Sequence, residues 1–281
     1  MSYQQIRPGG FQVLPPVIKN LIIINAIVFL AQITFEKTSG THGSLIEDLF
    51  ALHNIRSSLF RPHQLITHLF MHGSFTHILF NMFALWMFGS MLENMWGPKR
   101  FLIFYILCGL GAAALHLGWL FLETRTLLAD ANLFQQIPSP DKMFNFFNKY
   151  GVHRNMDVQS LNTLMNQWRF DPSNVNYIEQ GRDAVKEGAD LLISTPTVGA
   201  SGAVFGCLAA FGYLFPNSLI YIYMFIPVKA KWFVIIYAGI ELWLGVSNSG
   251  GNIAHFAHLG GALIGFLLVL YWNKKNRKTF Y

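Results

Sequence analysis

The chain has 281 residues, of which 53% are hydrophobic and only 12% are charged. This composition excludes a soluble globular domain, and the length is too great for a single membrane anchor, so we predict a polytopic, all-α membrane protein. The formal net charge of +6 does not indicate a nucleic-acid partner, because the basic residues lie in short clusters beside apolar runs, a pattern typical of chain orientation in a lipid bilayer.

Six apolar stretches predict six membrane-spanning helices. Several approach the roughly 20 residues that cross a bilayer, while the fourth and fifth are shorter. Lys/Arg clusters precede the first and fifth stretches and follow the second and sixth, so all four fall on one side of a six-helix arrangement. Because positively charged loops face the cytoplasm, both termini are predicted to be cytoplasmic. The six stretches are residues 17–35, 77–96, 101–122, 198–215, 230–246 and 252–272.

The segments outside these helices divide the chain. We predict a cytoplasmic N-terminal segment at 1–16, a membrane domain at 17–272 and a basic cytoplasmic tail at 273–281. Residues 44–60 mix apolar and charged side chains, which predicts a helix lying in the membrane interface. Residues 124–196 carry seven Lys/Arg and eight Asp/Glu, which predicts a polar insertion between the third and fourth helices, outside the membrane on the non-cytoplasmic face.

Three polar residues on three different helices are predicted to share one depth in the membrane. At about 1.5 Å per residue from the cytoplasmic helix ends, Asn81, Ser201 and His258 all lie roughly 21–24 Å in. His77 lies one helical turn from Asn81, on the same face. Polar groups at such a depth are costly unless they pair with each other or line water, so their coincidence indicates function.

Nucleophilic acyl transfer is the chemistry that these groups would support. Ser201 would be the nucleophile and His258 the base that takes its proton. The Ser201 backbone N–H and the side chains of Asn81 and His77 would donate hydrogen bonds to the oxyanion. The alternative interpretation of Ser201 is structural, because small residues in a membrane helix let neighbouring helices pack closely.

The sequence offers few other catalytic groups at this depth. Glu93 lies far toward the cytoplasm and Glu241 near the outer end of the fifth helix, so we expect a Ser–His dyad without a carboxylate. His255, one turn before His258, is expected at the aqueous rim, with assistance to proton transfer as the alternative. His68 and His72 have a helical zinc-ligand spacing but lack the H-E-x-x-H pattern and an acidic third ligand, so no metal and no organic cofactor are predicted.

Four sequence motifs follow one another on the predicted helices: HGSFTHILFN (72–81), GSMLENMWG (89–97), GASG (199–202) and AHLGGALIG (257–265). Together they resemble the rhomboid intramembrane serine proteases of the basic six-helix bacterial type. The resemblance covers most of the chain outside the insertion. It is specific because the four motifs occur jointly, whereas the G-x-S-G pattern alone would be weak.

The resemblance implies a role for each matching residue. Ser201 would be the nucleophile and His258 the base, while His77 and Asn81 would help to bind the oxyanion. Many rhomboids carry an aromatic hydroxyl four residues after the serine, where this chain has a phenylalanine that keeps the ring and lacks the hydroxyl. The structural positions implied near the site are Gly199, Gly202, Phe205, Gly261 and Gly265.

The implied function is an intramembrane serine endopeptidase that forms an acyl-enzyme and cleaves membrane proteins in or next to their transmembrane segments. Its partners would be the lipid bilayer and these substrates, and its location a bacterial inner (plasma) membrane; the sequence does not predict an oligomeric state. One alternative is a non-catalytic rhomboid-like protein that binds membrane clients. A transporter is the other, but its expected repeats or broken helices in both halves are absent from the sequence.

Overall fold

The computed structural model describes residues 11–39, 45–152, 156–222, 225–247 and 254–277. The predicted N-terminal segment is therefore described only from residue 11, and the predicted basic tail only to residue 277. The described residues form helices α1 (Pro16–Ser39), α2 (Leu45–Phe50), α3 (Gln64–Thr67), α4 (Phe75–Ala84), α5 (Ser90–Trp96), α6 (Pro98–Gln136), α7 (Pro140–Tyr150), α8 (Val158–Phe170), α9 (Val175–Ile193), α10 (Ser201–Leu214), α11 (Ala230–Ser247) and α12 (His255–Arg277), and strands β1 (Leu219–Ile222) and β2 (Ile226–Lys229).

The prediction of a polytopic helical membrane protein is confirmed. Five helical segments within the described residues are long and apolar enough to cross a membrane, and α10 is a sixth, shorter apolar helix of 14 residues. The small antiparallel hairpin of β1 and β2 is the one sheet that the described residues form. The five long segments are Pro16–Phe35, Phe75–Trp96, Pro98–Gln136, Ala230–Ser247 and His255–Lys274.

The second of these segments consists of two α-helices joined by a π-helical turn. Helix α4 begins after Ser74, whose side-chain oxygen accepts a hydrogen bond from the His77 backbone N–H at 3.1 Å, a typical N-cap. A single π-helical turn at Leu85–Gly89 then connects α4 to α5, which ends at Gly97 with a positive φ of 81°. The cap therefore sets the register of the first turns of α4, which carry His77 and Asn81.

The chain forms two compact units. Unit 1 comprises residues 1–34, 65–116 and 198–281, and unit 2 comprises residues 35–64 and 117–197. Helix α10 lies at the core of unit 1, with ten of its fourteen residues buried. A helix enclosed by protein on all sides does not need to match the bilayer thickness itself, which accounts for its short length.

Four glycines bring the backbones of α10 and α12 together in unit 1. A Cβ atom added at Gly265 would lie 2.6 Å from the Gly206 carbonyl oxygen, and one added at Gly261 would overlap the Gly202 carbonyl oxygen. Small residues at this spacing allow membrane helices to approach closely and gain dispersion energy along their whole contact. The contact also holds the first turns of the two helices, and hence Ser201 and His258, side by side.

Unit 2 corrects two predicted boundaries. Helix α6 does not end near residue 122 but continues to Gln136, because its apolar side chains recur at helical spacing and Leu127, Ala131 and Phe134 are buried in the core of unit 2. The predicted interfacial helix at 44–60 is wrong beyond residue 50.

Local hydrogen bonds explain why the helix at α2 stops so early. The Asn54 side-chain oxygen accepts from the Arg56 N–H at 3.0 Å, and the Ser57 hydroxyl oxygen accepts from the Leu59 N–H at 3.1 Å. Such side-chain to backbone bonds stabilise turns at the expense of helix. The fully buried Gln64 then holds the loop by donating to the Leu59 carbonyl oxygen at 2.9 Å.

Candidate active site

Ser201 is the first residue of α10, and the backbone before it turns sharply. Gly199 has a φ of 130°, a conformation that residues with a side chain rarely adopt, and its N–H donates to the His68 carbonyl oxygen at 2.9 Å. A Cβ atom at Gly199 would also lie only 2.9 Å from the His77 ring. Glycine is therefore required both by the turn and by the ring beside it, and the turn explains why the helix begins at Ser201 and not at residue 198.

His258 lies in the first turn of α12 and faces Ser201. Its Nε2 atom is 2.9 Å from the Ser201 hydroxyl oxygen, a hydrogen-bond distance. The imidazole stacks on the ring of Phe205, with centroids 4.2 Å apart and planes inclined by 3°. Phe205 follows Ser201 by one helical turn on the same face of α10, so this helix supplies both the serine hydroxyl and the ring on which the His258 imidazole stacks.

A carboxylate completes this constellation, contrary to the sequence-based expectation. His258 Nδ1 is 2.9 Å from Glu241 Oε2, and the Glu241 side chain is buried. The expectation of a dyad without a nearby carboxylate is therefore wrong. Ser201 is the first residue of α10 and His258 lies in the first turn of α12, whereas Glu241 lies in the second half of α11, so the packing of the three helices brings these residues together.

His255 binds the same carboxylate oxygen from a second direction. Its Nδ1 atom is 2.7 Å from Glu241 Oε2, and only 5% of the residue is exposed, so its expected place at the aqueous rim is also wrong. The His255 Nε2 atom is buried and has no hydrogen-bond partner among the described residues. Two imidazoles thus share one carboxylate, and that of His258 also contacts the Ser201 hydroxyl.

The two predicted oxyanion-binding residues lie on α4. The half-buried His77 ring borders Gly199, the residue two positions before Ser201. Asn81, one turn further along α4, is buried, and its Nδ2 donor has no partner among the described residues. Burying an amide donor without a hydrogen-bond partner destabilises the folded protein. Such a donor is typical of a site that binds a charged ligand.

The loop before α4 is fixed by α1. The buried Gln32 side chain accepts from the His72 backbone N–H at 3.0 Å and donates to the His72 carbonyl oxygen at 3.3 Å. The His72 ring meets the His77 ring edge to face, with centroids 5.0 Å apart. Burial lowers the pKa of His72 to about 3, with the neighbouring His77 acting in the same direction. His72 is therefore neutral at physiological pH and adds no charge beside the site.

The described residues contain one cluster with a metal-binding donor set. Ligand atoms of Glu241, His255 and His258 lie within 4.8 Å of one another, and two histidines with one glutamate are a set that zinc uses in enzymes. A metal on His258 Nδ1 would exclude the proton from that atom and leave it on Nε2, which then could not accept a proton from Ser201. Only the metal-free, hydrogen-bonded arrangement suits His258 as a base.

Comparison with known proteins identifies one family to which most of the chain is similar. The family model described as "Rhomboid domain" matches residues 59–127 and 175–275, more than half of the chain. The match passes over residues 128–174, which lie within the predicted insertion.

Curated relatives agree with this match. The chain is 27% identical over 248 residues to "RHOMBOID-like protein 12, mitochondrial" of Arabidopsis thaliana, covering 88% of this chain and 56% of that protein. It is 28% identical over 211 residues to "Rhomboid protein 1, mitochondrial" of Saccharomyces cerevisiae, covering 74% and 41%. It is 31% identical over 103 residues to "Putative rhomboid protease YdcA" of Bacillus subtilis, covering 36% and 50%. The chain thus spans about half the length of the curated relatives it matches.

Proposed function

The chain belongs to the rhomboid family, and from that premise we propose that it is an intramembrane serine endopeptidase that cleaves membrane proteins in or next to their transmembrane segments. The observation that carries the proposal is the 2.9 Å contact between Ser201 Oγ and His258 Nε2 at the start of two closely packed apolar helices. A purely structural serine has no need of an imidazole positioned to take its proton.

The reaction follows from these atoms. Ser201 Oγ attacks the substrate carbonyl carbon while its proton passes to His258 Nε2. The oxyanion accepts hydrogen bonds from the Ser201 N–H, which as a first-turn group has no partner within α10, and from the side chains of Asn81 and His77. The His258 imidazolium then protonates the leaving amine, which gives an acyl-enzyme on Ser201. His258 next takes a proton from water, whose oxygen attacks the ester carbonyl, and then returns that proton to Ser201 Oγ as the C–O bond breaks and the acid product is released.

The membrane setting supports the substrate class. Helix α11 exposes large apolar side chains along most of its length, including Trp232, Ile236 and Trp243, and such a surface is stable only against lipid or an apolar partner. A protein held in the bilayer in this way meets its substrates by diffusion within the membrane. Membrane proteins are therefore the substrates that we propose.

The location and topology are narrower proposals. The protein is an integral membrane protein, but two of the named relatives are mitochondrial by name, so the expected bacterial plasma membrane has no support from them. We retain as proposals the cytoplasmic termini and the placement of residues 124–196 on the opposite face. Protease protection in sealed, oriented vesicles tests the latter: cleavage of this segment only from the cytoplasmic side would contradict it.

The test of the activity uses the purified full chain in detergent micelles or liposomes with a model single-pass substrate. We expect cleavage by the wild type, none by Ser201→Ala, and labelling of the wild type alone by a fluorophosphonate. Ser90→Ala is a matched control, because Ser90 is also a buried helical serine of unit 1. A folded wild type that binds the substrate but neither cleaves it nor reacts with the probe would replace the protease proposal with the client-binding alternative.

A further inference from the structure

We infer that Glu241 is the positioning residue of a Ser201–His258–Glu241 triad, and that His255 shares the same carboxylate and moderates its effect on His258. The inference rests on the proposed protease function. It concerns Glu241 on α11 and His255 at the start of α12, two residues that lie outside the four sequence motifs.

The first step is the tautomer of His258. An ionised carboxylate can only accept hydrogen bonds, so the 2.9 Å contact between Glu241 Oε2 and His258 Nδ1 requires the proton to lie on Nδ1. A neutral imidazole with its proton on Nδ1 has its lone pair on Nε2, the atom 2.9 Å from Ser201 Oγ. Glu241 thus holds His258 in the tautomer that can receive the serine proton, and fixes the ring plane that also stacks on Phe205.

The second step is the charge that develops during the reaction. When the Ser201 proton moves to His258 Nε2, the ring becomes an imidazolium, and Glu241 stays ionised and forms an ion pair with it. Because the Glu241 side chain is only 6% exposed and that of His258 only 12%, solvent screens this attraction weakly. The interaction is stronger in the transition state than in the ground state, which is the condition for it to raise the rate.

The third step is the competition from His255. Its Nδ1–H, 2.7 Å from the same oxygen, donates to a lone pair of Glu241. This hydrogen bond reduces the negative charge that Glu241 presents to His258. His255 and His258 thus compete for the charge of one carboxylate oxygen of Glu241.

Among the described residues, the titratable groups around the cluster do not supply a negative charge that could replace that of Glu241. The titratable groups that interact electrostatically with the cluster are Tyr237, one turn before Glu241 on α11, and the histidines His77 on α4 and His116 on α6. These three groups carry no negative charge at neutral pH. Within the described residues, the charge that stabilises a His258 imidazolium therefore comes from Glu241.

The test is the pH dependence of kcat in variants that keep the side-chain volume. Glu241→Gln should lower kcat by about 10²–10⁴ with little change in KM, as expected when the base loses its orienting carboxylate. It should also move the acid limb of the profile to lower pH, because the imidazolium loses its counter-charge. His255→Ala should move that limb to higher pH, because Glu241 then acts on His258 alone. Glu241→Asp should recover part of the lost kcat.

A buried glutamate elsewhere in unit 1 provides the matched control. Glu93 is 2% exposed, and its carboxylate accepts from the backbone N–H groups of Val17 and Ile18 at 2.9 Å each, a structural role at the start of α1. Glu93→Gln should lower the melting temperature and leave the acid limb in place. If Glu241→Gln does not fold, two other results test the inference. They are the shift of the acid limb to higher pH in His255→Ala and the partial kcat of Glu241→Asp.

The outcomes separate this inference from the proposed function. If the wild type cleaves and Glu241→Gln retains kcat within about threefold, the triad is wrong and the protease proposal stands. If the acid limb of the kcat–pH profile shifts in the same direction in Glu241→Gln and His255→Ala, the sharing of the Glu241 carboxylate by the two histidines would also be contradicted. A folded wild type without Ser201-dependent cleavage would remove the protease proposal itself.

Discussion

Two pairs of glycines at helix contacts, one pair in each unit, face different kinds of neighbour. In unit 1, Gly261 and Gly265 face the backbone carbonyls of α10, so their missing side chains let two helix backbones touch. In unit 2, Gly181 faces the ring of the fully buried Trp168, at 2.5 Å from the place where a Cβ would lie, and Gly188 faces the ring of Phe147 in the same way at 2.7 Å. There the missing side chain makes room for an aromatic ring.

The difference reflects what stabilises each unit. Within a membrane, apolar side chains gain nothing from leaving water, so close backbone packing supplies the energy. In unit 2, most of which we propose to lie outside the membrane, burying large side chains such as Trp168, Phe146 and Met143 removes their surface from water and stabilises the core. A backbone atom cannot yield to an added methyl group, whereas a ring can tilt. Substitutions at the two kinds of glycine should therefore differ in both size and consequence.

Gly261→Val should have the largest effect. The new side chain would overlap the Gly202 carbonyl, so α10 and α12 must separate and the Ser201–His258 contact is lost. We expect no detectable cleavage of a model transmembrane substrate, since a displacement of the reacting groups by about 1 Å can lower the rate by about 10²-fold. Gly239→Val is the control, because a Cβ at Gly239 on α11 lies more than 4 Å from the neighbouring atoms of the described residues. Equal activity of the two variants would show that the glycine contact does not hold the site together.

Asn81→Ala should separate activity from stability within unit 1. Removing one oxyanion donor typically lowers kcat by about 10², with less loss where other donors remain. The melting temperature should stay the same or rise, because the substitution removes a buried amide that has no partner among the described residues. Steady-state kinetics and thermal melting in the same detergent measure both. A change confined to KM would assign Asn81 to substrate positioning.

Gly181→Ala should act on unit 2 alone. The added methyl group forces the Trp168 ring to move, at a cost of about 1–3 kcal/mol in stability. Gly118→Ala on α6 is the matched control, because a Cβ there meets nothing within 4 Å. Chemical denaturation followed by tryptophan fluorescence measures the difference. Cleavage of a small substrate should be unchanged, since the candidate active site contains no residue of unit 2. A strong loss of cleavage would show that the activity depends on the packing of unit 2.

Phe205→Leu should have the smallest effect. It removes the ring on which His258 stacks, and aromatic pairs contribute about 0.5–1.5 kcal/mol, so kcat should fall by about 2- to 10-fold. Phe205→Tyr, which restores the hydroxyl of many rhomboids, should remain within about twofold of the wild type because the stack is kept. A loss as large as that of Gly261→Val would mean that this ring, and not the glycine contact, sets the position of the base.

The sequence by itself determined the features that depend on order along one helix. Hydrophobic stretches identified the spans, and a constant rise per residue predicted that Ser201, His258 and Asn81 share one depth. Of these three, the structure shows Ser201 and His258 in contact at 2.9 Å. The positive φ at Gly199 and the small residues along α12 follow from residue type, because few other residues fit a sharp turn or a backbone contact. These properties are local, or repeat with the helix period, and so they can be read without knowing the neighbours.

Only the tertiary structure decided which side chains meet. Depth along a helix says nothing about its rotation or about which face its neighbour presents, so the 2.9 Å contact between Glu241 on α11 and His258 on α12 could not be derived from spacing. The burial of His255 depends in the same way on the packing of α11 against α12. The continuation of α6 to Gln136 required the core of unit 2, because a helix end is set by the contacts that its last turns can bury.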